Sequence, residues 1–549
     1  MSGASSRTSG GNLEELISRA KLTASSLGEV VGIAARVQPI SHGEEERRIR
    51  VEVPFDSYLA HPLRVGQYLG LCPLVSGVAM LGRVVEVERA DIMAVARVPA
   101  IGVGEDPSAI STPLVLTLEL ISEEVGGEVL PPSSPVDPQS PVFLPSRDFL
   151  ERTLGLPSSG VEVGEVLEGS LPRADVKVRL TEEVLRHHVL VVGTTGSGKT
   201  NLLRLLAFRS PYNTVVFDLQ GDYVQVAAKR RGLLLLPVSS QHVAEARGLV
   251  NFVQFVLSNS ALGKFKLTGA DQGGVLTVSL ENGGELRVMP TALRLMDSYK
   301  QLAEVSPVFS PQAAYFFPQL VENCSPETIR EFPECLELKD QLKLHRATAE
   351  NLERSVYLLE STGVIDVNLS SMRRERNYLS SPDPEALLKE PIVVVDLRWV
   401  AERGMLAVTL VAFTMLESLF SAKDAAYKRG EGVKNTLLIF DEAHEYFPQG
   451  RREENKEGLE RLINRVLRLG RVRGIGSVLA THRPEDLNDL VLTLTNTKIA
   501  LRSEEESLKR IGMDQFSNFL RVAPTGAGVM RTFAYRVPEI LFRANKYQP

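Results

Sequence analysis

The chain has 549 residues, of which 43% are hydrophobic and 24% are charged, and its formal net charge at pH 7 is −6. This length is too great for one simple core, so we expect two to four domains with the composition of a soluble globular protein. The acidic balance excludes a monomer that coats itself with DNA, because such a protein should be basic. A ring with a basic lumen and an acidic exterior would still be compatible with DNA binding.

The cysteines and the apolar segments bear on the cellular compartment. Cys72, Cys324 and Cys335 form no C-x-x-C pair, which argues against a disulfide framework or a zinc site and for a reducing compartment. The N-terminal residues lack the apolar core of a signal peptide. The longest apolar stretch, residues 405–416, is shorter than a membrane span, and we interpret it as a buried helix. These observations predict a cytoplasmic protein without a membrane partner.

A small β domain is predicted near the N-terminus. Residues 1–27 are expected to form a flexible tail. Across residues 28–130, short β-rich runs with alternating apolar and charged residues are broken by glycine and proline, which predicts a small antiparallel β-barrel. Residues 131–159 are rich in proline and are expected to form a linker.

A phosphate-binding motif of the form G-x-x-x-x-G-K-[ST] comes next. It consists of Gly193, Thr194, Thr195, Gly196, Ser197, Gly198, Lys199 and Thr200. An apolar run precedes it and a leucine-rich stretch follows, and strand, glycine loop and helix is the context that a P-loop requires. The glycines let backbone N–H groups wrap phosphate oxygens, and the helix N-terminus adds a positive dipole. We expect Lys199 to reach the β- and γ-phosphates of ATP, the Thr200 hydroxyl to bind Mg²⁺, and Asn201 to lie at the nucleotide.

The rest of the chain predicts an α/β fold, a RecA-like P-loop ATPase core with a helical insertion. Residues 160–244 form its first part, including a strand that ends in Asp218, a further candidate ligand for Mg²⁺. Residues 245–388 are charged and leucine-containing, which predicts a mostly helical insertion. The core resumes over residues 389–520, and residues 521–549 are expected to form C-terminal strands and a tail. Alternating strands and helices imply a parallel sheet covered on both faces.

Two adjacent carboxylates complete the predicted ATPase site. The apolar run 436–440 ends in Asp441 and Glu442, which places both at the carboxyl end of a strand, where open α/β sheets bind ligands. We expect Asp441 to hold Mg²⁺, partly through water, and Glu442 to orient or deprotonate the attacking water.

Two arginines and a histidine downstream are further candidates. Arg468 and Arg471 belong to an arginine-rich segment that is either a solvated helix face or a subunit edge. A single RecA-like core has no internal partner domain, so an arginine that acts on the γ-phosphate must come from another subunit, which favours a closed ring. His482 ends a strand that should lie beside the Asp441 strand, where it is either a sensor of the γ-phosphate or a core residue.

The ordered set of motifs resembles the HerA–FtsK superfamily of ring translocases, and archaeal HerA-type members most, over about residues 28–545. The segments that carry the resemblance are Leu81-Gly-Arg-Val-Val, the P-loop, Asp218-Leu-Gln-Gly-Asp-Tyr223, Asp441-Glu-Ala-His444, Arg468-Leu-Gly-Arg471 and Ala480-Thr-His-Arg-Pro484. The chain departs from the family pattern at His482, where glutamine is usual, and at Gln220 and Asp222, which replace histidine and glutamate.

The resemblance implies a hexameric, ATP- and Mg²⁺-dependent DNA translocase or helicase. It makes Arg468 the first choice and Arg471 the second for the arginine supplied in trans. It also implies processing of DNA ends at double-strand breaks, with a NurA-like nuclease docked on the side of the N-terminal barrel.

Two alternatives remain for the function. A DEAH-type superfamily 2 helicase would need a second RecA-like domain, and the residues after His444 are too few to form one. A nucleotide-dependent scaffold that recruits a nuclease without moving DNA would not need turnover, whereas Lys199 and Glu442 argue for it.

Overall fold

The structure is a computed structural model that describes residues 9–36, 47–89, 112–270, 274–281, 284–339, 342–370, 377–432, 434–450 and 453–548. The chain divides into two units. The first comprises Met1–Thr181 and Gly528–Ala544, and the second comprises Glu182–Ala527 and Asn545–Pro549.

The first unit begins with a helix where we expected a flexible tail. This helix spans Ser9–Leu27, and its Ala20 and Ala24 are buried. Small side chains on one face allow the helix to lie close to the strands that follow. Residues Ser9–Leu27 are therefore helical.

Seven strands of the first unit form one antiparallel sheet. They are β1 (Gly28–Ala34), β2 (Arg48–Val53), β3 (Tyr68–Leu71), β4 (Ala79–Glu88), β5 (Leu114–Val125), β6 (Glu128–Leu130) and β7 (Pro141–Pro145). The strand order is β2-β1-β7-β3-β4-β5-β6, and β5 also pairs with β2, so six strands close into a ring. Period-2 alternation explains the core, since Leu114, Leu116, Leu118 and Leu120 of β5 all point inward and are buried.

The segment predicted as a linker contributes to this unit. It carries β7, which pairs with β1 and β3 inside the ring. It also carries the helix Arg147–Leu154, which begins at an N-cap serine, Ser146, and ends at Gly155 in the left-handed conformation. The prediction of a linker over residues 131–159, which relied on their proline content, was therefore wrong for the part that forms this strand and this helix.

A hairpin follows, with β8 (Val161–Glu168) paired to β9 (Leu171–Leu180). Both strands lie in the first unit, although we expected residues from 160 onward to start the ATPase core. The boundary between the units falls after Thr181.

In the part of the second unit that the structure describes, there are ten strands. They are β10 (Val189–Val192), β11 (Asn213–Asp218), β12 (Leu233–Pro237), β13 (Phe265–Ala270), β14 (Leu276–Leu280), β15 (Glu285–Thr291), β16 (Ile392–Asp396), β17 (Thr436–Phe440), β18 (Ile475–Thr481) and β19 (Thr497–Leu501). Their order is β13-β14-β15-β12-β16-β11-β17-β18-β10-β19, and the pairings from β15 to β19 are all parallel. The central strands are apolar along their length and buried, as parallel strands covered on both faces are.

Helices connect and cover these strands. Those of at least six residues are Lys199–Arg209, Val224–Lys229, Ser240–Glu245, Leu249–Ser258, Leu295–Val305, Pro311–Cys324, Arg346–Ser361, Met405–Lys428, Glu453–Ile463, Asp489–Leu494, Glu505–Arg510 and Ser517–Val522. After the second unit, the chain returns to the first unit. There it forms β20 (Ala527–Arg531) and β21 (Glu539–Ala544), and β21 pairs with β8.

The region predicted as a mostly helical insertion is mixed. Three strands, β13 to β15, occupy its first part, and β15 extends the parallel sheet by pairing with β12. Its helical part contains a disulfide between Cys324 and Cys335, whose Cα atoms are 5.4 Å apart. The expectation that the cysteines do not pair was therefore wrong for these two. The tertiary fold brings them together across two separate helices.

The longest helix in the described residues, Met405–Lys428, extends beyond the predicted apolar stretch. By length and composition it could cross a membrane, but 67% of its most apolar window is buried within the protein. Glu417 and Lys423 are also buried on it. It has the burial of a core helix.

Candidate nucleotide-binding site

The P-loop connects β10 to the helix Lys199–Arg209. Gly196 and Gly198 have φ angles of 76° and 108°, a region that favours glycine. At Gly193, a Cβ atom would come within 2.4 Å of the Ser197 hydroxyl oxygen. The sequence motif therefore supplies the backbone geometry that the tight loop requires.

Lys199 folds back onto this loop. Its Nζ donates to the carbonyl oxygens of Gly193 at 2.7 Å and Thr194 at 3.3 Å, and the side chain is buried. Burial lowers the pKa of Lys199, while the nearby carboxylates of Glu442 and Asp441 act in the opposite direction. The cation is thus held at the loop, within reach of any anion that the loop surrounds.

Asp441 lies directly after β17 and receives two hydroxyl groups on one oxygen. Thr200 donates to its Oδ2 at 3.0 Å and Tyr223 at 2.9 Å. Burial raises the pKa of Asp441, and these two hydrogen bonds oppose that effect. The Thr200 hydroxyl and the Asp441 carboxylate are hard oxygen donors, the type that Mg²⁺ prefers, so the residues present fit this ion.

Glu442 occupies a left-handed backbone conformation, with φ 53° and ψ 51°. A non-glycine residue in this region carries strain, which is often found at functional sites. His482, after β18, places its Nδ1 2.8 Å from Oε2 of Glu442. The structure therefore brings together two residues that the sequence predicted separately.

His444 lies at the same carboxylate and was not among the predicted site residues. Its Nδ1 is 3.7 Å from Oε2 of Glu442 and forms a hydrogen bond with the Thr481 hydroxyl at 3.0 Å. Burial lowers the pKa of His444. The sequence does contain His444 in the segment Asp441-Glu-Ala-His444. The sequence separation between His444 and His482 does not, however, indicate that their rings are in contact.

Asp218 has a different environment from the one we expected. One carboxylate oxygen accepts from the backbone N–H groups of Gln220, Gly221 and Asp222, and the other accepts from that of Tyr223 at 3.0 Å. Burial raises the pKa of Asp218 to about 6, and the neighbouring Asp396 adds to this shift. Asp218 therefore organises the turn that carries Tyr223, and its observed partners are backbone groups.

Asn201 also has partners other than those predicted. Its side-chain amide donates to the carbonyl of Asn545 at 2.9 Å and accepts from the backbone N–H of Tyr547 at 2.8 Å. The residue therefore fastens the C-terminal segment to the P-loop helix.

Two residues that contact the loop, Arg502 and Thr525, were not predicted from the sequence. The backbone N–H and the hydroxyl of Thr194 both donate to the carbonyl of Arg502, at 2.8 and 3.0 Å. The hydroxyl of Thr525 donates to the carbonyl of Gly196 at 3.4 Å. Arg502 follows β19, the neighbour of β10, and strand order was needed to place it there.

The arginine series separates into paired and exposed members. Arg465 forms ion pairs with Glu417 at 2.9 Å and with Glu304, and Arg473 pairs with Asp424 at 2.6 Å. The side chains of Arg468 and Arg471 are exposed, and neither forms an ion pair with a described residue. The predicted helix changes to a π-helical segment at Asn464–Leu469, which carries Arg468. Such segments are frequent at functional sites.

The strand, glycine loop and helix, together with the carboxylates after β17, a parallel strand separated from β10 by β18, define a P-loop NTPase of the α/β class. Comparison with known proteins narrows this class. The family described as "Helicase HerA, central domain" matches residues 161–416.

Curated relatives carry the same name. The chain is 25% identical to the DNA double-strand break repair helicase HerA of Pyrococcus furiosus, over 71% of this chain and 68% of that protein. It is 22% identical to the HerA of Sulfolobus acidocaldarius, over 82% and 81% of the two chains. The chain is therefore similar to HerA-type proteins over most of its length, and these relatives are named DNA repair helicases. The solved structure of the plasmid coupling protein TrwB with a non-hydrolysable ATP analogue covers 73% of this chain and 93% of its own, at 13% identity and a TM-score of 0.45.

Proposed function

We propose that this chain is an ATP-driven, ring-forming DNA translocase or helicase, hexameric when active. The observation that carries the proposal is the convergence of Lys199, Thr200, Asp441 and Glu442 at one edge of the parallel sheet. Lys199 and Thr200 come from the P-loop after β10, and the two carboxylates come from the end of β17.

Each residue has a distinct role in the proposed hydrolysis of ATP. Lys199 exchanges its carbonyl partners for the β- and γ-phosphates. Thr200 and Asp441 would hold Mg²⁺. When bound, this ion neutralises negative charge on the phosphates of ATP. Glu442 orients the attacking water and accepts its proton, and His482 fixes the carboxylate through the contact at 2.8 Å.

The γ-phosphate needs a further cation, which we assign to a second copy of the chain. Arg468 is the first candidate and Arg471 the second, because both are exposed while Arg465 and Arg473 are held by carboxylates of their own chain. A trans arginine of this kind accelerates hydrolysis by roughly 10³–10⁵.

The names of the relatives support a proposal for the biological process. Because the relatives are named double-strand break repair helicases, we propose that the chain acts in the cytoplasm on DNA ends, with a NurA-like nuclease that performs the cutting. The closed ring of β1 to β5 and β7 supports a HerA-type barrel as the docking side for that nuclease. The superfamily 2 alternative is not favoured by the comparisons.

Stimulation of hydrolysis by DNA tests this proposal against the scaffold alternative. We expect linear duplex DNA to increase the ATPase rate of the wild type and to leave Glu442→Gln inactive. A wild type that binds ATP and DNA but hydrolyses none would favour the scaffold.

A further inference from the structure

A cluster of two histidines and one carboxylate lies beside the Mg²⁺ site. It consists of Glu442, His444 and His482, and one ligand atom from each lies within 4.8 Å of the others. The closest approach, 2.8 Å, joins Nδ1 of His482 to Oε2 of Glu442. The two imidazole rings meet edge to face, with centroids 4.9 Å apart.

The three donors suit a transition metal ion. A tetrahedral ion with bonds of about 2.1 Å separates its ligands by about 3.4 Å, so small side-chain adjustments would place all three around one ion. Two nitrogens and one oxygen are a ligand set that Zn²⁺ binds, and three protein ligands leave a fourth position open. Mg²⁺ prefers oxygen ligands and would remain at Thr200 and Asp441.

The surroundings also favour a built site over a chance contact. When His444 binds a metal through Nδ1, that atom gives up its hydrogen bond with the Thr481 hydroxyl. Its Nε2 then faces the Glu445 carboxylate at 3.6 Å, the outer-shell partner that orients many metal-binding histidines. Glu442 and His482 retain 20% and 32% side-chain exposure, so an ion can enter from solvent.

We propose that Glu442, His444 and His482 form an inhibitory site for Zn²⁺ or a similar transition metal ion. Coordination occupies the carboxylate lone pair that Glu442 would otherwise use to accept a proton from water. This consequence for hydrolysis rests on the proposed role of Glu442, whereas binding of the metal does not.

Cobalt spectroscopy tests the binding directly. Co²⁺ reports a tetrahedral nitrogen and oxygen site by its visible absorption, and it can be added to the untagged 549-residue chain in the presence of excess Mg²⁺. We expect one Co²⁺ per chain, displaced by Zn²⁺, with affinity at least about tenfold lower in His444→Ala and in His482→Gln. The matched control is His61→Ala, which removes a histidine that contacts a single carboxylate, Glu29, at 2.8 Å.

Each result decides one part of the proposal. A Co²⁺ spectrum that persists unchanged in both His444→Ala and His482→Gln, or no bound Co²⁺ in the wild type, would overturn the metal site; circular dichroism establishes that the variants are folded. A spectrum lost in both variants and kept in His61→Ala supports it. If Zn²⁺ then binds but leaves ATP hydrolysis unchanged, the metal site stands and the role of Glu442 as base fails.

Discussion

The Tyr223 hydroxyl donates a hydrogen bond of 2.9 Å to the carboxylate of Asp441. This contact joins the turn after β11 to the end of β17, and Asp218 holds the turn through its backbone N–H groups. The phosphate site therefore depends on a residue with no place in either nucleotide motif.

Tyr223→Phe should weaken the binding of Mg²⁺ with ATP. Loss of the hydroxyl removes a bond that favours the ionised form of Asp441, so the pKa of Asp441 rises further. A hydrogen bond to a charged group contributes about 1.5–3 kcal/mol, so we expect the Mg²⁺ concentration for half-maximal ATPase to rise about tenfold or more.

Tyr446→Phe is the matched control for that measurement. The Tyr446 hydroxyl is buried and has no hydrogen-bond partner among the described residues. Its removal should leave the Mg²⁺ requirement unchanged. Equal effects of the two substitutions would mean that Tyr223 acts only through packing.

Lys199→Ala and Glu442→Gln should separate binding from hydrolysis. The first removes the cation at the loop, so nucleotide affinity and turnover both fall. The second keeps the shape but replaces a proton acceptor with an amide, so ATP binds while turnover drops by about 10²–10⁴. Fluorescent nucleotide binding and phosphate release measure the two effects, and near-normal turnover in either variant contradicts the site assignment.

Much of this site was predictable because its motifs are local. The P-loop, Asp441 and Glu442 each depend on a short strand and the residues directly after it, and His482 follows from one more strand. Tyr223, His444 and Arg502 acquire their partners only when strands distant in sequence become neighbours.

The same physical reason explains the differences elsewhere. Asn201 has a suitable position in the motif, yet its amide binds the C-terminal segment, which no pattern places there. Cys324 and Cys335 meet through helix packing. Strand β15 joins the sheet by pairing with β12, although the surrounding sequence is dominated by helical patterns.

His188 should make the stability depend on pH. Burial lowers the pKa of His188 to about 4, against 6.5 for an ordinary histidine, and its Nε2 contacts the carbonyl of Leu467 at 2.5 Å. Between these pH values the unfolded chain binds a proton that the folded chain does not, so stability is complete above pH 6.5 and falls as the pH decreases towards 4.

Urea unfolding midpoints of the wild type and His188→Gln between pH 4.5 and 7.5 test this expectation. The glutamine amide can still donate to Leu467 but does not titrate, so the variant should lose part of the acid dependence. His61→Gln, at a more exposed position, is the control. A pH profile identical to that of the wild type would remove His188 as a contributor.

Arg465→Ala should lower the stability of the protein, whereas Arg468→Ala should affect ATP hydrolysis. Arg465 neutralises Glu417, a buried carboxylate, so its loss should destabilise the protein by more than about 1 kcal/mol. Arg468 is exposed and unpaired among the described residues, so its loss should leave stability nearly unchanged but abolish DNA-stimulated hydrolysis.

Mixing Arg468→Ala with Lys199→Ala subunits tests whether the arginine acts in trans. Mixed rings should recover activity, because one protomer supplies the P-loop and its neighbour the arginine. Rates that never exceed the sum of the two parents, together with complementation by Arg471→Ala, would transfer the role to Arg471. If neither Arg468→Ala nor Arg471→Ala recovers activity when mixed with Lys199→Ala, then either no arginine acts in trans or the ring does not tolerate one inactive site.

The most direct test of the account is displacement of a third DNA strand from a linear duplex by a moving protein. We predict that the wild type displaces the strand when ATP and Mg²⁺ are present, and that Glu442→Gln binds the same DNA without displacing it. Robust ATP hydrolysis by the wild type with no displacement, on duplexes with blunt or single-stranded ends, would contradict the proposal that this chain is a DNA translocase.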